Sequence, residues 1–322
     1  MTKTRTRPST LSATLEAELS PFTGPGSPML VGLLDLRHRV AVERTAASVD
    51  ELEVRNLSLA KAYAFASVDF PGAAWSFALD TNGVTTVGYF VFDPSVNPVQ
   101  ATAFTFSGGA YQTLSVPNAT TSYGAGINSS GSIVGFYQNL SGKILGYVKS
   151  GGTFSDVEYP GAAITQAVDI NDSGIVVGAY SDAAGKQHGF RYGSGASTAI
   201  DFPGASGTAA TGINVDGDIV GFYYDATATH GFTLKGDVFT PIDFPLAGLT
   251  AAWGINSAGD ISGYYMDGAG GPMHGFLFAG GAFSTIDVAG ARQTQLARIN
   301  DTAHVTGVYI DALTGQHGFL GT

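Results

Sequence analysis

The sequence predicts an all-β chain: a six-bladed β-propeller of four-stranded antiparallel blades, with an N-terminal strand closing the last blade and a short, partly helical tail before it. Three observations predict it. Gly-Ile-Asn or a variant recurs with its Asn at Asn128, Asn171, Asn214, Asn256 and Asn300, at spacings of 43, 43, 42 and 44 residues. His-Gly-Phe starts at His188, His230, His274 and His317, at spacings of 42, 44 and 43. The last unit ends one strand short, while FASVDFP at Phe65 to Pro71 matches the FTPIDFP of Phe239 to Pro245.

One unit reads as TAATGIN, DIVGFYYD, HGFTLKG and VFTPIDFP. Each piece is a short run rich in Val, Ile, Phe, Tyr and Thr, bounded by Gly, Asn, Asp or Pro, which is the pattern of a strand. Asn-x-x-Gly and the pairs Gly151-Gly152, Gly236-Asp237 and Gly280-Gly281 supply the positive φ that tight hairpins need. Consecutive strands are therefore antiparallel neighbours. The Pro after the fourth strand ends the ladder, because it cannot donate to it. The first unit is read with Ala78-Leu79-Asp80 in the place of Gly-Ile-Asn and lengthened by the loop Asp93 to Gln100. FASVDFP then becomes the fourth strand of the last blade, removing open sheet edges.

The propeller is assigned to residues 61–322 and the tail to 1–60. In the tail, Leu11, Leu15 and Leu19 lie at helical spacing before Pro21, and Ser48 with Glu51 forms a capping box before a second helix. The tail is a candidate for self-association.

The repeats resemble those of the HAF-repeat proteins, predicted extracellular bacterial repeats in which a His-Ala-Phe tripeptide follows GIN-x-x-G-x-x-VG; here the tripeptide is His-Gly-Phe. The resemblance covers roughly 115–322 well and 62–114 loosely. It implies a β-propeller and export, and no chemistry. The N-terminus has a basic start but no apolar run after it, which favours the cytoplasm, so the compartment stays undecided.

Of 322 residues 44% are hydrophobic and only 13% charged, a globular composition with few surface charges. Residues 1–60 hold seven basic and seven acidic side chains, leaving 8 and 19 in the rest, hence −11. Such a body repels phosphate backbones, so no nucleic-acid partner is expected, and no transmembrane segment is read, so no membrane partner either. With no cysteine there is no thiolate metal site or nucleophile.

The repeated polar residues invite a metal reading. Asp182, Asp225, Asp267 and Asp311 end second strands just before the His residues. Neighbouring strands are about 4.8 Å apart, so histidines of different blades lie too far apart to share an ion. They are read as satisfying groups within their own blade, together with Asp69, Glu158, Asp201, Asp243 and Asp287. Asn214-Val-Asp216-Gly-Asp218 has oxygen ligands at alternate positions but lacks the rest of a calcium loop. No metal and no cofactor is expected.

Departures from the repeat mark a candidate site on the innermost strands. Two positions before the Asn the series reads Ala78, Gly126, Asp169, Gly212, Gly254, Arg298, which sets opposite charges on facing walls. Five before it reads Trp75, Tyr123, Gln166, Ala209, Ala251, Gln295, placed nearer the channel entrance. Trp253 and Phe77 sit between, and Arg292 enters the last unit. These residues suggest a module that binds a small molecule, glycan or peptide at the channel mouth, since an apolar recess with a few convergent polar groups is the usual ligand site. The alternative is a lyase, cyclase or hydrolase with Asp169 as acid or base and Arg298 or Arg292 holding an anionic substrate. A scaffold whose tail makes the contacts is a third reading.

Overall fold

The computed structural model describes residues 62–322 apart from Asn97 and Ala269. The expected tail, 1–60, lies outside the described residues. Every element described is a strand.

Strand β1 (Phe65–Ser67) is followed by β2 (Trp75–Thr81), β3 (Thr85–Val91), β4 (Ala101–Ser107) and β5 (Ala110–Thr113). Next come β6 (Ala119–Ile127), β7 (Ile133–Asn139), β8 (Ile144–Ser150) and β9 (Thr153–Val157), then β10 (Ile164–Ile170), β11 (Val176–Ser181), β12 (Gln187–Gly193) and β13 (Ala196–Ile200). They continue with β14 (Gly207–Ile213), β15 (Ile219–Tyr224), β16 (Thr229–Lys235) and β17 (Val238–Ile242), then β18 (Ala247–Ile255), β19 (Ile261–Asp267), β20 (Met273–Ala279) and β21 (Ala282–Ile286). The last are β22 (Gln293–Ile299), β23 (Val305–Ile310) and β24 (Gln316–Gly321).

Within each sequence unit the strands pair antiparallel in order. Two four-stranded sheets and two eight-stranded sheets result. Each eight-stranded sheet is two antiparallel runs joined at a single parallel pair, Ile164 with Ile144 in one and Trp75 with Gln316 in the other. The first strand of each run touches the first strand of the next, and β22 touches β2, so these strands close a circle around an axis. They all run from a proline end, where the Phe-Pro turns lie, to an asparagine end.

The circle closes as the FASVDFP match predicts. β1 pairs antiparallel with β24, Phe65 opposite Gly321 and Ser67 opposite Phe319. The Phe65 ring stands edge-on to the fully buried Phe319 at 5.2 Å, and burying a phenylalanine contributes roughly 1.5–3 kcal/mol.

Runs are joined at the proline end by a repeated device. A Ser or Thr at the start of an innermost strand accepts the amide just past the preceding fourth strand, as Thr165 does from Tyr159, Thr208 from Phe202 and Thr250 from Phe244. The aromatic ring after that strand then stacks on the second strand of the next run: Phe202 on Tyr223 and Phe244 on Tyr265, both at 3.6 Å. The histidine follows on the same stack, His230 on Tyr223 at 5.1 Å.

Each of those histidines is clamped between two aspartates of one run, as expected for a structural role. Nδ1 of His188, His230 and His274 meets Asp201, Asp243 and Asp287 at 2.7, 3.0 and 2.7 Å. Nε2 faces Asp182, Asp225 and Asp267 at 3.5, 3.6 and 3.5 Å. Asp182 also accepts the hairpin amides of Ala184 and Lys186, which hold its pKa down. Among the described residues no group of three or more His, Asp or Glu could hold a metal ion.

In the last run this clamp spans the closure. His317 Nδ1 meets Asp69, just past β1, at 2.9 Å, and Nε2 meets Asp311 at 3.4 Å. Burial opposes the positive charge, but Asp69 and Asp311 outweigh it and raise the His317 pKa. A pKa raised on folding contributes stability that is complete below the unfolded value near 6.5 and is lost as pH rises through the folded value. The loss of stability caused by His317→Gln should therefore be larger at pH 6 than at pH 9 in paired urea titrations; an equal loss at both would remove the charge from the clasp.

Candidate functional site

The register of the innermost strands corrects the sequence alignment of the first unit. Every one carries a bulge at the same place: between Ala78 and Asp80, Gly124 and Gly126, Ala167 and Asp169, Ala210 and Gly212, Ala252 and Gly254, and Leu296 and Arg298. Asp80, not Ala78, thus stands with Asp169 and Arg298, and Asn82 is the first asparagine. The hairpin after Asn82 is one residue shorter than the others, since Asn82 N bonds to Thr85 O where Asn128 N bonds to Ser132 O. That shortening hid the match. Phe77 correspondingly replaces Trp75 in the series with Tyr123, and Leu79 replaces Phe77 beside Trp253.

Two carboxylates and one guanidinium therefore meet at the axis, all buried: Asp80 and Asp169 are 6% exposed and Arg298 4%. Asp80 accepts the amide of Thr81 at 2.7 Å and that of Ile127, in the next run, at 2.8 Å. Asp169 does the same for Ile170 and Ile213, both at 2.8 Å. Each carboxylate pins two neighbouring innermost strands together. Arg298 reaches across the axis, donating to Trp253 O at 2.7 Å and Val168 O at 3.0 Å, with Nε 3.6 Å from Asp169. The expected approach of Asp169 and Arg298 from opposite walls is present. Burial pushes the Asp80 carboxyl up to about 7; Arg298 opposes this and Asp169 reinforces it.

Above these three groups, at the asparagine end, lies a recess of about 220 Å³. Its wall is a chain of asparagines. Asn82, Asn128, Asn171 and Asn214 each donate Nδ2 to the backbone carbonyl of the next at 3.0 to 3.3 Å, while each Oδ1 accepts amides of its own hairpin. Asp172 and Asp301 on the rim accept the amides of Ser129 and Ser257. Val215, 51% exposed, lines the recess where its counterparts are polar or glycine.

The other predicted residues lie elsewhere. Gln166, Gln295, Tyr123 and Trp253 do not form an entrance: they are buried deeper along the axis, Gln166 completely. Tyr123 and Trp253 belong with Phe77, Leu79 and Val168 to an apolar plug. A cavity of about 20 Å³ remains among Tyr89, Tyr123, Phe136, Trp253, Tyr264 and Gln295, room for about one water molecule. Trp75 and Arg292 stand at the proline end, Arg292 exposed. Six residues of strand, roughly 20 Å, separate Arg292 from Arg298, so the two cannot hold one small anion. Asp80 is the residue that sequence reasoning missed, and the constant two-residue offset to Asn82 was the signal for it.

No protein-family model matches the chain, and no curated protein sequence does. Solved structures do. TolB from Acinetobacter baumannii is 11% identical, with a TM-score of 0.52 over 74% of this chain and 64% of that one. A triple arginine-to-alanine mutant of AofleA from Arthrobotrys oligospora is 14% identical, with a TM-score of 0.51 over 80% and 86%. The β-propeller domain of the Trilobed protease from Pyrococcus furiosus is 12% identical, with a TM-score of 0.49 over 77% and 94%. What is shared is the fold, an all-β propeller.

Removing one partner of a buried charge cluster costs about 3–5 kcal/mol, because the other charges are left uncompensated. Arg298→Met should destabilise the protein by that order at pH 8, above the value of about 7 to which burial pushes the Asp80 carboxyl. The deficit should shrink at pH 5, where Asp80 is protonated. Denaturation curves at the two pH values check it, and a deficit that grows on acidification would mean the guanidinium does not balance these carboxylates.

Proposed function

We propose that the chain is a six-bladed propeller, each antiparallel run of four strands a blade and β1 the last strand of the sixth. In this reading it serves as a binding module for a small polar molecule, or the polar end of a glycan or peptide, held in the recess at the asparagine end. Kinship to the HAF repeats fits the same blade. The observation that carries the reading is the floor of Asp80, Asp169 and Arg298. These are the charged departures from an otherwise small-residue position, they converge from three runs, and they underlie a recess of about 220 Å³. Identical blades present identical groups to a ligand; a floor of unlike charges can orient an asymmetric one.

The enzymatic alternative moves to the same place. Asp80, pushed up to about 7 by burial, is placed to exchange a proton near neutrality, and Arg298 rather than Arg292 would face a substrate. Both of Asp80's oxygens already accept backbone amides, which favours binding over turnover.

Val215→Trp should fill the recess from an exposed hairpin position without disturbing the strands. A ligand present at 100 times its dissociation constant stabilises the native state by about 2.7 kcal/mol. Screening metabolites and glycans by thermal shift should find compounds that stabilise the natural protein and leave the variant, of unchanged basal melting, unaffected. Compounds that stabilise both equally but lose their effect with Arg292→Ala would move the site to the proline end.

A further inference from the structure

The junction between the fifth and sixth runs breaks both patterns that line the recess. Around the circle, the amide preceding each asparagine faces the axis, because the Asn amide itself turns the other way and closes its hairpin: Asn214 N to Asp218 O, Asn256 N to Asp260 O, Asn300 N to His304 O. Four of these inward amides, of Thr81, Ile127, Ile170 and Ile213, are taken in pairs by Asp80 and Asp169. A third pair remains, Ile255 and Ile299. Gly254 and Arg298 stand where its carboxylate would have to be, and both isoleucines line the recess.

The asparagine chain breaks at the same junction. Asn256 turns its Nδ2 to Asp260 at 3.2 Å instead of donating to the backbone of Asn300. Arg298 Nε is deeply buried without a hydrogen-bond partner and stands 3.6 Å from Asp169. Ile255, Ile299 and Arg298 all line the recess, so two main-chain donors and one cationic side chain contribute to its wall. Away from this junction the floor and rim carry the carboxylates of Asp80, Asp169 and Asp172, while that of Asp301, at the junction, is engaged by the amide and hydroxyl of Ser257.

From this we infer that the recess takes a small zwitterion, an amino acid in the broad sense. Its carboxylate accepts from Ile255 N and Ile299 N beside Arg298, repeating in trans what Asp80 and Asp169 do in cis, and its ammonium group faces the aspartates. A carboxylate alone would add a further acid to a floor and rim that already hold Asp80, Asp169, Asp172 and Asp301, and an amine alone would leave the two amides without an anion. Charge-assisted hydrogen bonds to paired amides are about twice as strong as neutral ones. The inference rests on the recess being the binding site and adds its ligand class.

The test uses the full chain labelled with 15N-isoleucine, which reports Ile127, Ile170, Ile213, Ile255 and Ile299 together. Glycine, β-alanine and 4-aminobutyrate are titrated, each beside the carboxylate and the amine of the same length, with calorimetry in parallel. The expected result is that at least one amino acid binds ten-fold or more tighter than its matched acid and amine. Ile255 and Ile299 should shift downfield while Ile127 and Ile213 stay nearly fixed. Arg298→Lys should weaken that binding at least ten-fold, and the shifts of the natural protein stand even if the variant folds poorly. Equal binding of the plain carboxylate, binding that leaves Ile255 and Ile299 unmoved, or no binding by any amino acid overturns the inference. The binding module itself fails only if the wider screen with Val215→Trp also fails.

Discussion

At its asparagine end each innermost strand of the circle pairs with its own second strand only, so the inward amides there point at the axis and must find acceptors. A buried amide left without an acceptor costs about 1–3 kcal/mol, and a closed circle repeats that demand at every junction. How the demand is met decides what the axis can be. Asp80 and Asp169 each answer for two strands, and in doing so tie neighbouring runs together at their innermost point.

The carboxylates that satisfy the amides create a second demand, since charges cannot be left alone in a buried floor. Arg298 meets it by crossing the axis to Val168 O and approaching Asp169. The three charged residues thus form one structural unit, and their presence on the floor of a recess is a by-product of holding the circle closed. The asparagine wall does the same work one layer out, each side chain capping its own hairpin and reaching to the next. The scheme is incomplete at the fifth-to-sixth junction, where Gly254 stands in the place of Asp80 and Asp169 and Asn256 turns to Asp260.

The fold was legible because it is periodic: strands, hairpins, the Asp–His clamps and the closing strand all follow from a spacing that recurs. The site was legible only in part. Asp169 and Arg298 stand out as charges at a small-residue position, and they do meet. Asp80 was masked by a hairpin shortened by one residue, which shifts every count made from its asparagine. Gln166, Tyr123 and Trp253 were placed at an entrance because periodicity tells which residues face the axis but not how deep the plug of the core reaches. Arg292 and Arg298 look adjacent in sequence, yet an extended strand puts them at opposite ends.

Asp80 and Asp169 accept four of the inward amides, while Gly254 stands where an acceptor for those of Ile255 and Ile299 would be. Native-state hydrogen exchange of the 15N-isoleucine protein, without added ligand, reads this directly. The amides of Ile127, Ile170 and Ile213 should exchange at least ten-fold more slowly than those of Ile255 and Ile299, although all five occupy equivalent places in the repeat. Uniform protection across the five, or faster exchange at Ile127 and Ile213, would contradict it.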